Sequence, residues 1–139
     1  MSIATDILSF IPQRPPFVMV DTIEACDEAG ATTTFTVRED NIFVENGLLQ
    51  EPALIENIAQ TAAAHNGFMC LKDNKPVPVG FIGAVQSLKI EKLPKISDVL
   101  STSITIKNQI FNATIIQGQI TCNGEEIAGC EMKIFISEQ

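Results

Sequence analysis

Apolar and polar positions along this chain fall into blocks with two different periods. From Ile3 to Ile11 the apolar side chains Ile3, Ile7, Leu8 and Ile11 recur at helical spacing, and Pro12 stops the run, so a short helix is predicted. Gln13-Arg14-Pro15-Pro16 then makes a stiff extended turn that feeds an apolar stretch, Phe17 to Ile23, read as a strand. Ala31 to Val37 is rich in Thr and forms the second expected strand, joined to the first across the turn residues Asp27-Glu28-Ala29-Gly30. Asn41 to Glu51 is irregular, with a turn at Asn46-Gly47.

The strongest helical block is PALIENIAQTAAAHNGFM, from Pro52 to about Met69. Proline at a first helical position loses no bond, because that N–H would be unpaired anyway. On a wheel of 100° per residue, Ile55, Ile58, Ala59, Ala62, Ala63 and Met69 fill one broad face. A helix this apolar and this small in side chain is expected to be buried, with something wrapped closely around it. After Pro78 the chain reads as strands, over Gly80–Ile90, Val99–Asn108, Ala113–Cys122 and Ile127–Ile136. Asn123-Gly124 links the last two as a hairpin, since a type I′ turn requires positive φ at both central residues. The expected fold class is α+β: residues 1–139 form one hotdog domain, a long central helix wrapped by a curved antiparallel sheet of about six strands.

Composition narrows the function classes. A chain of 139 residues buries a real core without disulfide or metal staples, and eight Phe with many Ile, Val and Leu supply it in place of Trp and Tyr. The formal charge of −8 disfavours nucleic acid and anionic membrane surfaces, whose phosphates need clustered Lys and Arg. Lys89, Lys92 and Lys95 are the best local basic patch for an acidic partner, although a solvated rim of strand-end lysines is the commoner meaning of such a pattern. Cys26, Cys70, Cys122 and Cys130 show no CxxC pairing, which fits reduced, packed thiols. MSIATDILSF has no basic leader region, and no run of apolar residues is long enough to span a bilayer, so a cytoplasmic location is expected. Without a Gly-rich phosphate loop or a metal-ligand cluster, no cofactor is expected.

Three stretches resemble the FabZ and FabA type of β-hydroxyacyl-acyl-carrier-protein dehydratases. Ile11-Pro12-Gln13-Arg14-Pro15-Pro16-Phe17-Val18-Met19-Val20-Asp21 is similar to the family's LPHRxPFLLVDR segment. Ile55-Glu56-Asn57-Ile58-Ala59-Gln60 is similar to its xEAxAQ helix core, and Gly80 to Ile90 to its FxAGIDNVRF strand. Their order and spacing make them more specific together than singly. Before the central helix, Asn46-Gly47-Leu48-Leu49-Gln50-Glu51-Pro52 replaces the GHFPG loop. In this respect the chain is closer to a divergent branch, the dehydratases of aryl-polyene pigment pathways.

The resemblance implies dehydration of a 3-hydroxyacyl thioester, work the family divides between a His and an acidic residue of the central helix. Glu56 occupies the acidic position and is the expected catalytic group, with Gln60 one turn on at i+4. A helix-start carboxylate favoured by the macrodipole is the bland alternative for Glu56. Gln13, Gln60, Phe81 and Gly83 are the expected substrate-binding positions. The histidine of the LPHRxP segment is Gln13 here, and glutamine hydrogen-bonds but does not exchange protons near neutral pH. His65, the sole histidine, lies nine residues after Glu56, roughly 180° around the helix, and is expected to be structural. Three functions therefore compete: a hydro-lyase using Glu56 with Gln13 or water, a non-catalytic acyl-binding or heterodimer subunit, and a hotdog thioesterase in which Glu56 activates water. In each, the partner is an acyl carrier protein or another acyl thioester, and a homodimer paired edge to edge is expected.

Overall fold

The computed structural model describes residues 2–137. Its first regular element is a single 3-10 turn, Ile7–Ser9, in place of the helix expected over Ile3–Ile11. Helix nucleation is unfavourable in so short a segment. The backbone finds other partners: Ile3 and Ala4 N–H both bond to Ile23 O, and Ile23 N–H returns to Ala4 O.

Strand β1 (Thr22–Asp27) pairs with β2 (Gly30–Thr36) across the expected turn, where the Asp27 carboxylate accepts from Ala29 and Gly30 N–H. Two short strands, β3 (Val44–Glu45) and β4 (Leu48–Leu49), flank Asn46 and Gly47, both at positive φ. The segment read as irregular is thus a small hairpin. Gln50 Nε2 clamps it by donating to Glu45 O and Leu48 O, and its backbone, still extended, leads into the helix.

Helix α1 runs Glu51–Lys72, with Pro52 in its first turn and Lys72 facing the negative end of its dipole. Asn74, in the left-handed region, turns the chain away. Four long strands follow: β5 (Val79–Ile90), β6 (Val99–Ile110), β7 (Ala113–Cys122) and β8 (Glu125–Ser137). With β1 and β2 they make one antiparallel six-stranded sheet in the order β1-β2-β6-β7-β8-β5. Asn123 and Gly124 both have positive φ in the β7–β8 hairpin, as the sequence pattern requires.

The helix is buried from two sides. Leu54 and Ile58 pack with Leu100, Ile104, Ile116, Ile120 and Met132 of the sheet, and each fully buried aliphatic side chain contributes about 1.5–3 kcal/mol. Ile58 sits so close to β7 that a Cβ at Gly118 would lie 2.4 Å from its Cγ2. On the far side, Ile7, Ile11, Val20 and Ile23 pack with Ala64, and Gly67 lets the Phe10 carbonyl approach to where a Cβ would stand 1.8 Å away. The expected apolar face is therefore only part of the buried surface. Asn57, Gln60, Thr61 and His65 are buried as well, whereas Ile55, Ala59, Ala63 and Met69 are half-buried.

Candidate active site

Asn57, Gln60, Thr61 and His65 lie along one stripe of α1, at i, i+3, i+4 and i+8, and each finds a polar partner. Met19 is gripped through both of its backbone groups: its N–H donates to Gln60 Oε1 at 2.6 Å, and its carbonyl accepts from Asn57 Nδ2 at 2.7 Å. Two side chains thus replace a neighbouring strand. This explains why the apolar run Phe17–Val20, read as strand, lies outside β1. Thr102 of β6 donates to Asn57 Oδ1, Thr61 bonds Thr33 of β2 at 2.7 Å, and His65 Nε2 sits 2.7 Å from Asp27 O. His65 is structural in this sense, as expected from the sequence.

Gln60 has a further task. With Oε1 taken by Met19, its Nε2 donates to Phe17 O at 2.9 Å and to Glu56 Oε1 at 3.1 Å. The amide orientation is fixed, because the Met19 N–H can only be a donor. Glu56 is therefore tethered through one carboxylate oxygen by a buried, fully committed amide.

Glu56 borders an apolar cleft of about 270 Å³ between the small side chains Ala59, Ala62 and Ala63 of α1 and a wall of isoleucines from β6, β7 and β8. Gln13 and Glu56 both stand on its lining, and His65 and Asn66 lie nine and ten residues beyond Glu56 along α1. Nine residues rotate by half a turn, but the cleft follows the helix axis for about 13 Å, so Glu56 and His65 border the same cavity despite the sequence expectation that they share no face. On its other side Glu56 faces a shallow apolar groove made by Phe17, Phe43, Pro52 and Ile55.

The remaining expected site residues fall as follows. Phe81, more than half exposed on β5, borders the cleft. Gly83 is not among the residues lining it; a Cβ there would be 2.3 Å from the Phe135 ring, which occupies that space. Gln13 Oε1 is buried without a hydrogen-bond partner. The backbone around it is pinned by Arg14, whose Nη1 donates to Ile11 O at 2.8 Å and to Gln13 O at 2.7 Å. Sequence reasoning missed Asn57 and Thr61. Their signal was present as polar residues at i, i+3, i+4 with Gln60 inside an otherwise Ala-rich helix.

Nucleophilic chemistry at three of the four thiols has no support. Burial, reinforced by Asp27, pushes the Cys26 thiol up from 9.0 to about 11, and burial raises Cys122 and Cys130 too. Among the described residues no group of three or more His, Cys, Asp or Glu could hold a metal ion, and no helix is long and apolar enough to cross a membrane. Lys89 is highly exposed and lies 3.4 Å from Glu91, so part of the basic patch is locally neutralised.

A family model described as ApeP-like, ApeP dehydratase, matches residues 5–139. The chain belongs to the ApeP-like dehydratase family. Among curated proteins it is 28% identical over 131 residues to the 3-hydroxyacyl-[acyl-carrier-protein] dehydratase FabZ of Caldicellulosiruptor bescii, covering 86% of this chain and 91% of that one. It is 25% identical over 140 residues to the FabZ of Lactobacillus helveticus, covering 94% and 89%. Of solved structures, the dehydratase heterocomplex ApeI:P from Xenorhabdus doucetiae matches with a TM-score of 0.90 at 16% identity, covering 96% of this chain and 91% of that one. A hypothetical thioesterase with coenzyme A from Streptococcus pneumoniae matches with a TM-score of 0.67 at 17% identity, covering 84% and 85%. The hotdog fold and the dehydratase kinship expected from the sequence are both borne out. The match to the ApeP-like family model runs from before the first turn through the last strand, β8.

Proposed function

We propose that this chain acts on 3-hydroxyacyl thioesters of an acyl carrier protein, with Glu56 as the proton-transferring group. The observation that carries the reading is the tethering of Glu56 by Gln60 at the border of an apolar, chain-sized cleft. In such a dehydration a proton leaves C2, the C3–O bond breaks, and the hydroxyl departs as water with one added proton. A single carboxylate takes the first proton and returns it to the departing hydroxyl, and an acyl chain filling the cleft would exclude water and strengthen each electrostatic contact around it. Gln13 and Phe81 are the proposed substrate contacts, and Gln60 the residue that positions Glu56. Gly83 enters only through the space it leaves for Phe135.

A second arrangement is favoured by a specific observation. His65 Nε2 is committed to Asp27 O, and Gln13 does not exchange protons, so Glu56 has no histidine beside it in this chain. Strand β5 ends the sheet with Phe81, Ile82 and Leu88 exposed; in this second arrangement another hotdog chain, identical or of the ApeI type, pairs with that edge and brings the missing group.

The test is turnover of 3-hydroxyoctanoyl N-acetylcysteamine thioester by the full chain, alone and mixed with an ApeI-type subunit, followed by enoyl-thioester absorbance. A rise that Glu56→Gln abolishes supports the reading, and the two arms separate the two arrangements. Release of free thiol without enoyl product would instead identify a thioesterase. Silence in both arms, with this thioester and with its shorter and longer 3-hydroxyacyl homologues, would refute the hydro-lyase.

A further inference from the structure

The two walls of the cleft change character at the same depth. On α1 the lining runs from Glu56 over Ala59, Ala62 and Ala63, then turns polar at His65 and Asn66. On the sheet, Ile104 and Ile116 give way to Gln109 and Thr114, which pair across β6 and β7. Both changes lie toward the helix C-terminus. Thr102 bonds Asn57, and three residues further along β6 Thr105 pairs with Gly30, close to the Asp27 carbonyl that meets His65, so strand and helix advance together. Gln109 lies beyond that level. It is exposed, and Asn66 and Thr114 are half-buried, so water reaches this end of the cleft. On β8 the apolar wall extends to Ile136, one residue short of the strand's end.

Resting on the acyl-thioester reading above, this double change sets a length. Asn66 lies about 15 Å beyond Glu56 along the helix axis. Carbon–carbon bonds of about 1.5 Å at tetrahedral angles advance an extended chain about 1.3 Å per carbon. A chain whose C2 sits at Glu56 therefore meets the polar end at about twelve carbons. Up to that point each methylene exchanges water for alanine and isoleucine surface; beyond it the next one meets amides, a hydroxyl and water, and gains nothing. We infer that the cleft measures acyl-chain length, with affinity rising to about twelve carbons and level thereafter, and that the small side chain of Ala63 keeps it open to that depth. Ala63 is half-buried on the lining, about 10 Å along the axis from Glu56. A larger side chain there leans toward the helix N-terminus, into the space the chain needs.

The experiment measures binding of saturated acyl amides of aminopantetheine, from six to sixteen carbons, to the full chain by calorimetry. These ligands hold neither a leaving hydroxyl nor a thioester, so no turnover accompanies binding. In the wild-type chain each two-carbon step up to about twelve carbons is expected to tighten binding roughly three- to ten-fold, and later steps by less than about two-fold. Ala63→Leu should bring the plateau down to about eight carbons. Gln109→Leu, at an exposed position, extends the apolar wall and should carry the plateau to about fourteen. The plateau is read within each variant and is therefore insensitive to general loosening of the fold. Wild-type affinity that levels off by eight carbons or keeps rising through sixteen, or a plateau that either variant leaves in place, would overturn the inference while leaving the acyl cleft intact. No binding at any length would instead overturn the acyl reading of the cleft, and the inference with it.

Discussion

Replacing Gln60 by methionine, close to it in volume, removes three hydrogen bonds at once. The Met19 N–H, 2.6 Å from Oε1 in a fully buried position, loses its acceptor, and Phe17 O and Glu56 Oε1 lose their donor. An orphaned buried backbone group costs about 1–3 kcal/mol. Met19 N–H should contribute that in full and the part-buried Phe17 O less, while Glu56 keeps access to the cleft. The expected loss is about 2–4 kcal/mol, a large share of the 5–15 kcal/mol typical of a domain. For a chain of this length that corresponds to a midpoint lowered by about 7–14 °C. Urea unfolding with an unchanged slope would measure it, beside Gln119→Met on the exposed side of β7, which should change stability by less than about 0.5 kcal/mol. If Gln60→Met costs under about 1 kcal/mol, the grip of helix side chains on Met19 is not what holds the lead-in segment, and the account of why Phe17–Val20 lies outside the sheet fails.

Glu56→Gln keeps the shape of the side chain but not its proton; turnover of a 3-hydroxyacyl thioester should fall by about 10²–10⁴-fold with the melting temperature nearly unchanged, and full activity in the variant would remove Glu56 from the chemistry. Gly118→Ala should cost about 1–3 kcal/mol in urea unfolding, because its Cβ would meet Ile58 Cγ2 at 2.4 Å against the core; a neutral result would mean the helix moves freely off β7. Cys26 predicts a pH trend: its thiol, at about 11 when folded, ionises near 9.0 in the unfolded chain, so the stabilisation is complete below pH 9 and is lost as pH climbs toward 11. Thermal midpoints between pH 7 and 11 should therefore fall more steeply for wild type than for Cys26→Ala, and parallel curves would contradict the burial argument.

The parts of the molecule legible in the sequence are those fixed by local chemistry. Pro52 marked the start of α1 and Asn123-Gly124 the last hairpin, because each imposes a backbone conformation through its own residues. The Glu56–Gln60 pair was visible as an i, i+4 spacing. What local pattern could not reveal is who partners whom across the chain. Phe17–Val20 has the composition of a strand, yet Asn57 and Gln60, about forty residues away, take the bonds that a strand neighbour would have taken at Met19. The same distance effect hid the unfilled oxygen of Gln13, whose burial depends on packing between the lead-in segment, α1 and the sheet. A helical wheel drawn only for hydrophobic residues likewise missed Asn57 and Thr61, since those side chains are buried by being satisfied rather than by being apolar.

Strand β5 slips its register with β8 twice, once at Gly83 and again at Ser87–Leu88, with Ser87 at φ +55. Its free rim is consequently cut into short lengths that no longer lie in one plane. Identical rims cannot zip together without end, as a flat ribbon would, since each kink throws the next donor out of line. Under the pairing proposed above, a mate has to carry matching kinks or stop short of them, so the two interruptions that work against fibre growth would also act as a ruler for the chain alongside.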